Sequence, residues 1–242
     1  MSYLTNPYRY AVSTYPDSLG SDADSTSVDA TLNTADQILG TGCFSFNGTD
    51  NFCTLPNDLD TILSGGFTFS CWAYSAQADT EGDILTIINK PAHATWISPY
   101  DSFTLKQYGT NFQFTTNDTS TYVILSNAVG GIGWHNILVT KTAGNAFSFY
   151  VDDDTPITAT HASTWGTQDW YIGDTPPADG NRHWNSLIDD MVFLSRVLSS
   201  AEITSLYNSG SGNLASTLDH TDIIAYYTFD DILLPNSAIP IE

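Results

Sequence analysis

The sequence predicts an all-β protein, an antiparallel β-sandwich of jelly-roll form with one short helix near its C-terminal end. Two observations carry this. Between residues 43 and 173 the chain is a train of short runs that alternate apolar and polar residues, separated by turn-forming clusters. Only one stretch, residues 187–208 (LIDDMVFLSRVLSSAEITSLYN), carries a complete helix signature, and it follows directly on a strand.

Residues 1–42 are rich in Ser, Asp and Thr with few periodic apolar positions, and read as an irregular arm. Its Tyr3, Tyr8, Tyr10 and Tyr15 would pack on the domain or contact other chains. Residues 43–242 read as the folded domain. Residues 43–56 read as a hairpin, with Phe44 and Phe46 alternating against Ser45 and Asn47, and residues 48–51 as the turn. Residues 67–74 alternate strictly: Phe67, Phe69, Cys71 and Ala73 share one face, and Thr68, Ser70, Trp72 and Tyr74 the other. Further strands are expected over 83–89, 103–107, 112–116 and 122–126. A hairpin is expected from 136–140 and 146–151, then strands over 157–160 and 170–173. In the stretch 187–208, an apolar run surrounds Asp189 and Asp190. Ser199 and Glu202 form a capping box, Ile203, Leu206 and Tyr207 recur at helical spacing, and Gly210 is the stop. Residues 223–230 (IIAYYTFD) form a last strand signal.

The chain of 242 residues carries 27 acidic and 6 basic side chains, a net charge of −21. That balance argues against nucleic acid, whose phosphates need Lys and Arg, and disfavours anionic membrane surfaces. No apolar run reaches the roughly 18 residues of a membrane span. Residues 1–16 are polar and aromatic and do not read as an export leader. Of the three cysteines, Cys43 and Cys53 flank the expected hairpin and could face each other, while Cys71 lies in a core-like strand. Free buried thiols are the expectation, since nothing points to an oxidising compartment. Asn47-Gly48-Thr49 and Asn117-Asp118-Thr119 match glycosylation sequons. The five histidines show no metal-ligand spacing, and no nucleophile elbow or phosphate-cradling glycine loop occurs.

Several pieces taken together carry a resemblance. Ile188-Asp189-Asp190, Arg196, Leu198-Ser199, Glu202 and Leu206-Tyr207 form one closing pattern. Ahead of it come Phe46-Asn47-Gly48 before Leu55-Pro56, the run FTFSCW at 67–72, Trp134-His135-Asn136, and Tyr150-Val151-Asp152. In this order they resemble laminin-G-like and pentraxin-like jelly-roll domains of the concanavalin A-like superfamily. The resemblance covers roughly residues 40–207 and implies the fold. It leaves function open, because that fold hosts enzymes, lectins and structural modules alike.

Glycosidases of this fold use a Glu-x-Asp-x-x-Glu strand, whose period of two sets both carboxylates on one face. Here Glu81 lies in a turn, Glu202 in the capping box and Glu242 at the end, and Asp152-Asp153-Asp154 reads as a hydrated hairpin tip, so no enzyme is expected. The resemblance also implies a calcium ion held by an Asp of the closing strand, here Asp189, with Asp22 and Asp24 as further partners. The 223–230 strand resembles the segment that opens such domains. Residues 235–242 are too short for another module, so the strand is expected to close the same sheet.

Carbohydrate binding would need exposed rings beside polar groups. Trp96, Tyr100, Trp165 and Trp184 lie among Ser, Asp, Asn and His in loop-like sequence, where they would either form a binding face or act as buried anchors. The functional expectation is a non-catalytic structural or adhesion module at a virion surface, a phage-like capsid decoration or tail-associated protein. It would contact other virion proteins, or itself, through the arm, with glycan binding as a further property. The alternative is an extracellular, calcium-dependent carbohydrate-binding module. A polysaccharide-cleaving enzyme comes third.

Overall fold

The computed structural model describes residues 27–28, 30–55, 57–76, 84–93, 101–118, 121–128, 131–175, 182–218 and 222–230. Their strands form two antiparallel sheets. One contains, in spatial order, β1 (Ser27–Val28), β4 (Cys53–Leu55), β13 (Trp170–Ile172), β6 (Ile84–Pro91), β7 (Asp101–Tyr108), β8 (Asn111–Asn117) and β9 (Tyr122–Ala128). The other runs β12 (Ile157–Thr160), β11 (Ala146–Val151), β10 (Gly133–Lys141), β5 (Phe67–Ser75), β14 (Leu187–Leu194), β3 (Cys43–Ser45) and β2 (Thr31–Asn33), with β15 (Ile223–Tyr227) also on β14.

The space between the sheets is filled by rings. Phe103 is central, with Phe114 at 5.0 Å, Trp170 at 5.1 Å and Phe69 at 5.6 Å between centroids, all near edge-to-face. Such pairs add about 0.5–1.5 kcal/mol each beyond their burial. Phe67, Phe69, Cys71 and Ala73 of β5 all point into this core, as their alternation requires. The opposite face of β5 is covered too, because the helix α1 (Ser200–Tyr207) lies over the second sheet. Ile203 and Leu206 of α1 pack there with Leu138, Val192, Leu194 and Tyr226 in a smaller outer core. Ser199 and Glu202 close the capping box, and Arg196 grips Glu202 with both terminal guanidinium nitrogens at 3.0 and 2.6 Å. The helix ends in left-handed backbone at Asn208 (φ 46°), before the expected stop at Gly210.

β14 is paired by three strands of the second sheet. β5 flanks one side; on the other, β3 pairs with Leu187 and Ile188 and β15 with residues 191–194. Against β5 its register slips: Asp189 faces Trp72 and Val192 faces Ser70, so Asp190 and Met191 share one opposing residue. Asp190 takes the left-handed backbone, φ 46°, that this bulge needs. The extra residue keeps Ile188, Met191 and Phe193 in the core between the sheets. It also lets two consecutive acids find partners in the outer layer.

One expectation from the sequence is corrected. Residues 43–56 are not a hairpin: β3 and β4 lie in different sheets, and residues 46–52 cross between them. Phe46 N–H donates to the Ser186 carbonyl and Gly48 N–H to the Trp184 carbonyl, both at 3.0 Å, so the crossing is tied to the segment before β14. Within the stretch read as an arm, β1 and β2 are edge strands on β4 and β3. Residues 1–26, with the arm tyrosines, lie outside the described residues. Cys43, Cys53 and Cys71 are buried and form no disulfide, and burial pushes the Cys43 thiol up to about 12, so it stays protonated.

Candidate functional site

At one end of the second sheet, where β3 and β5 finish and β14 begins, lies an open cleft of about 380 Å³. Tyr74, the last outward-facing residue before the end of β5, forms one wall. Ser45, Asn185, Ser186 and the rim residue Asp36 add polar groups, with Phe46 and Leu187 beneath. The Tyr74 ring is half-buried and braced edge-on by Trp134 at 5.6 Å. Trp134 Nε1–H in turn donates to the Asp36 carbonyl at 2.9 Å. Asn33 Oδ1 accepts the Ala35 and Asp36 N–H groups at 2.8 and 3.1 Å and shapes the turn that carries the Asp36 carboxylate. Asn185 is exposed at the mouth and lies against Gly48, where a Cβ would stand 2.6 Å from the Asn185 side chain.

The rim is held from below by buried carboxylates. Asp189 Oδ2 accepts Ile38 and Leu39 N–H at 3.1 and 3.0 Å, and its Oδ1 accepts Asp190 N–H at 2.8 Å. Asp230 Oδ1 accepts Thr41 N–H, and Gly42 N–H at 3.2 Å. Asp190 takes the Tyr226 hydroxyl and the Ala215 N–H. Burial, with Asp190 beside it, pushes the Asp189 carboxyl up to about 8 against the pull of its amide donors. Burial likewise pushes Asp190 up to about 7, opposed by the Tyr226 and Ala215 bonds. Near the start of β10, one residue on from Trp134, His135 Nδ1 meets Asp152 Oδ2 at 2.8 Å while Nε2 meets the Gly131 carbonyl at 3.1 Å. Burial alone would lower this imidazole, but Asp152 and Gly131 carry it upward.

The residues singled out from sequence fare unequally. Asp189 is fully buried, and its oxygens already serve three backbone amides. Among the described residues no three His, Cys, Asp or Glu side chains gather as a metal centre. The described donors therefore do not fit calcium at Asp189, and Asp22 and Asp24 lie outside the described residues. Trp184 does not present a ring for a ligand: it is 1% exposed, sits in the core and donates to the Leu187 carbonyl at 3.2 Å. Trp165 is half-buried against Phe67, at the opposite end of β5 from Leu187, so the two rings share no face. Trp96 and Tyr100 lie outside the described residues. The cleft residues escaped the sequence reading because they come from four separate segments. The one available signal was Tyr74, an aromatic ending the polar face of an alternating strand.

Two antiparallel sheets packed face to face, with a helix on the outer surface and an open cleft at the strand ends, define a concanavalin A-like jelly roll. The chain belongs to the Concanavalin A-like lectin/glucanases superfamily, whose laminin-G-type family model matches residues 47–204. A comparison with curated proteins found no match. Among solved structures, the binding domain of Paraclostridial Mosquitocidal Protein 1 superposes with a TM-score of 0.61 at 12% identity, covering 80% of this chain and 48% of that one. The botulinum neurotoxin serotype C1 binding domain gives 0.58 at 14%, covering 77% and 48%. The receptor binding domain of botulinum neurotoxin type G gives 0.54 at 15%, covering 79% and 49%. The chain thus spans about half the length of these structures, and at such identities the likeness is one of fold.

The buried acids set a pH dependence. With folded values near 8 and 7 for Asp189 and Asp190, against about 3.9 in an unfolded chain, the native state holds protons that unfolding releases. Their contribution is full below the unfolded value and is lost as pH rises through the folded ones; His135, also raised, acts in the same direction. The melting temperature should fall between pH 5 and pH 8.5, and Asp190→Asn should flatten that fall. Equal slopes in both proteins would show that Asp190 does not titrate as described.

Proposed function

We propose that this chain is a non-catalytic recognition module that binds a neutral saccharide in the cleft between Tyr74, Asp36 and Asn185. The observation that carries the reading is the pairing of a half-exposed ring, fixed by Trp134, with a carboxylate, an amide and two hydroxyls around one opening. A ring supplies apolar area for a sugar face, and the polar groups orient hydroxyls, the mixture usual for ligand clefts. The family membership and the binding domains among the similar structures support a recognition role. The net charge of −21 and Asp36 at the rim favour a ligand without negative charge. Against catalysis stands the use of Glu202 in the helix cap, where Arg196, then Ser199, holds its carboxyl down to about 2.

The finer assignment, to a phage-like particle surface with contacts to virion proteins or to itself, rests on the Tyr-rich stretch of residues 1–26. Removing those residues should then abolish self-association or particle binding while the melt stays cooperative; retained association would contradict the assignment.

Glycan-array binding of the whole chain should be confined to neutral saccharides and should persist in EDTA. Tyr74→Ala should weaken it about tenfold or more, the loss typical of a central aromatic contact. Binding only to sialylated or sulfated glycans, or unchanged binding by Tyr74→Ala, would contradict the reading, and loss in EDTA would restore calcium to the site.

A further inference from the structure

Away from the cleft, a lysine is buried where few lysines are. Lys90 of β6 has no exposed side-chain surface, and its Nζ lies 2.7 Å from Asp60 Oδ1. The same nitrogen donates to the Gln168 carbonyl at 2.6 Å and stands 5.3 Å from the centre of the Trp170 ring. Trp170 Nε1–H donates to Asp60 Oδ1 at 3.0 Å, so amine and indole converge on one carboxyl oxygen. Asp60 belongs to the 3-10 segment Asn57–Ser64, outside the sheet, and keeps 30% of its side chain exposed. Burying an ion pair this deeply costs desolvation that the mutual attraction only partly repays. Burial lowers Lys90 and raises Asp60, while their own contact opposes both shifts. The neutral pair, amine beside carboxylic acid, is correspondingly accessible.

That neutral pair is also a reactive one. We propose that Lys90 Nζ and Asp60 Cγ are joined by an intramolecular isopeptide bond. The amine lone pair attacks Cγ of the protonated carboxyl, and the charge developing on Oδ1 is met by the Trp170 Nε1–H already aimed at it. A proton passes from Nζ to Oδ2, the Cγ–Oδ2 bond breaks, and Oδ2 departs as water from a side chain that is 30% exposed. The product is a secondary amide and one water molecule; nothing is oxidised or reduced. Its single N–H keeps the bond to the Gln168 carbonyl, and its oxygen keeps the bond from Trp170. Both partners are held before reaction by the fold, the arrangement that makes an intramolecular step fast. The amide would tie the 3-10 segment covalently to the first sheet, in a protein whose three cysteines form no disulfide.

Intact-mass spectrometry on the denatured full-length chain tests this without depending on stability. The wild type should be lighter than its sequence by one water, and chymotryptic digestion should yield a branched peptide joining the segments around Asp60 and Lys90. Lys90→Arg and Asp60→Ala should each show their full sequence mass. A wild-type chain at full mass would overturn the proposal and leave a buried ion pair. A missing water that persists in Lys90→Arg would also overturn it, by placing the dehydration elsewhere.

Discussion

Two adjacent carboxylates on one strand, Asp189 and Asp190, are what the outer layer of this protein depends on. A regular strand would send one of them into the core between the sheets. The bulge opposite β5 prevents that, at the cost of left-handed backbone at Asp190. Once outside the central core, each acid accepts from donors of other segments: Ile38 and Leu39 for Asp189, Ala215 and the Tyr226 hydroxyl for Asp190. Leaving a buried donor unpaired costs about 1–3 kcal/mol, so these bonds decide where three otherwise independent segments lie.

The consequence reaches the cleft. Residues 38–42 hang on Asp189 and Asp230, and the turn at residues 33–36 continues directly from them. Asp36 and the carbonyl that steadies Trp134 are therefore set by acids buried beneath the rim, with the Tyr74 ring following from Trp134. A chain so acidic overall buries several of its carboxyl groups as acceptors for backbone amides, which is a structural use of acidic side chains. It also explains why an Asp at the position of a calcium ligand need not hold an ion: both of its oxygens already accept from backbone amides.

The sandwich was legible in the sequence because its signals are local. Alternation at 67–74 gave the inward face of β5, and Ser199 with Glu202 gave the helix start, since each depends on residues a turn or a pleat apart. Partner choice was not legible. Residues 43–56 have the alternation of a hairpin, yet β3 pairs with β14 and β4 with β13, because the pattern fixes a strand's face and not its neighbour. Trp184 misled for a related reason: polar neighbours suggested a surface loop, whereas the ring fills the core and only its neighbour Asn185 is exposed. The cleft brings together residues from positions 36, 45, 74 and 185, a proximity only the folded chain creates.

The dependence of the rim on Asp189 is open to direct measurement by amide hydrogen exchange in the wild type and in Asp189→Ala, with Val139 in the core as internal reference. The Ile38 and Leu39 amides should be protected in the wild type and should exchange about tenfold or more faster in the variant, the loss expected when each amide forfeits its acceptor, while Val139 changes far less. Unchanged protection at Ile38 and Leu39, or acceleration no greater than at Val139, would contradict the claim that this carboxylate holds the rim.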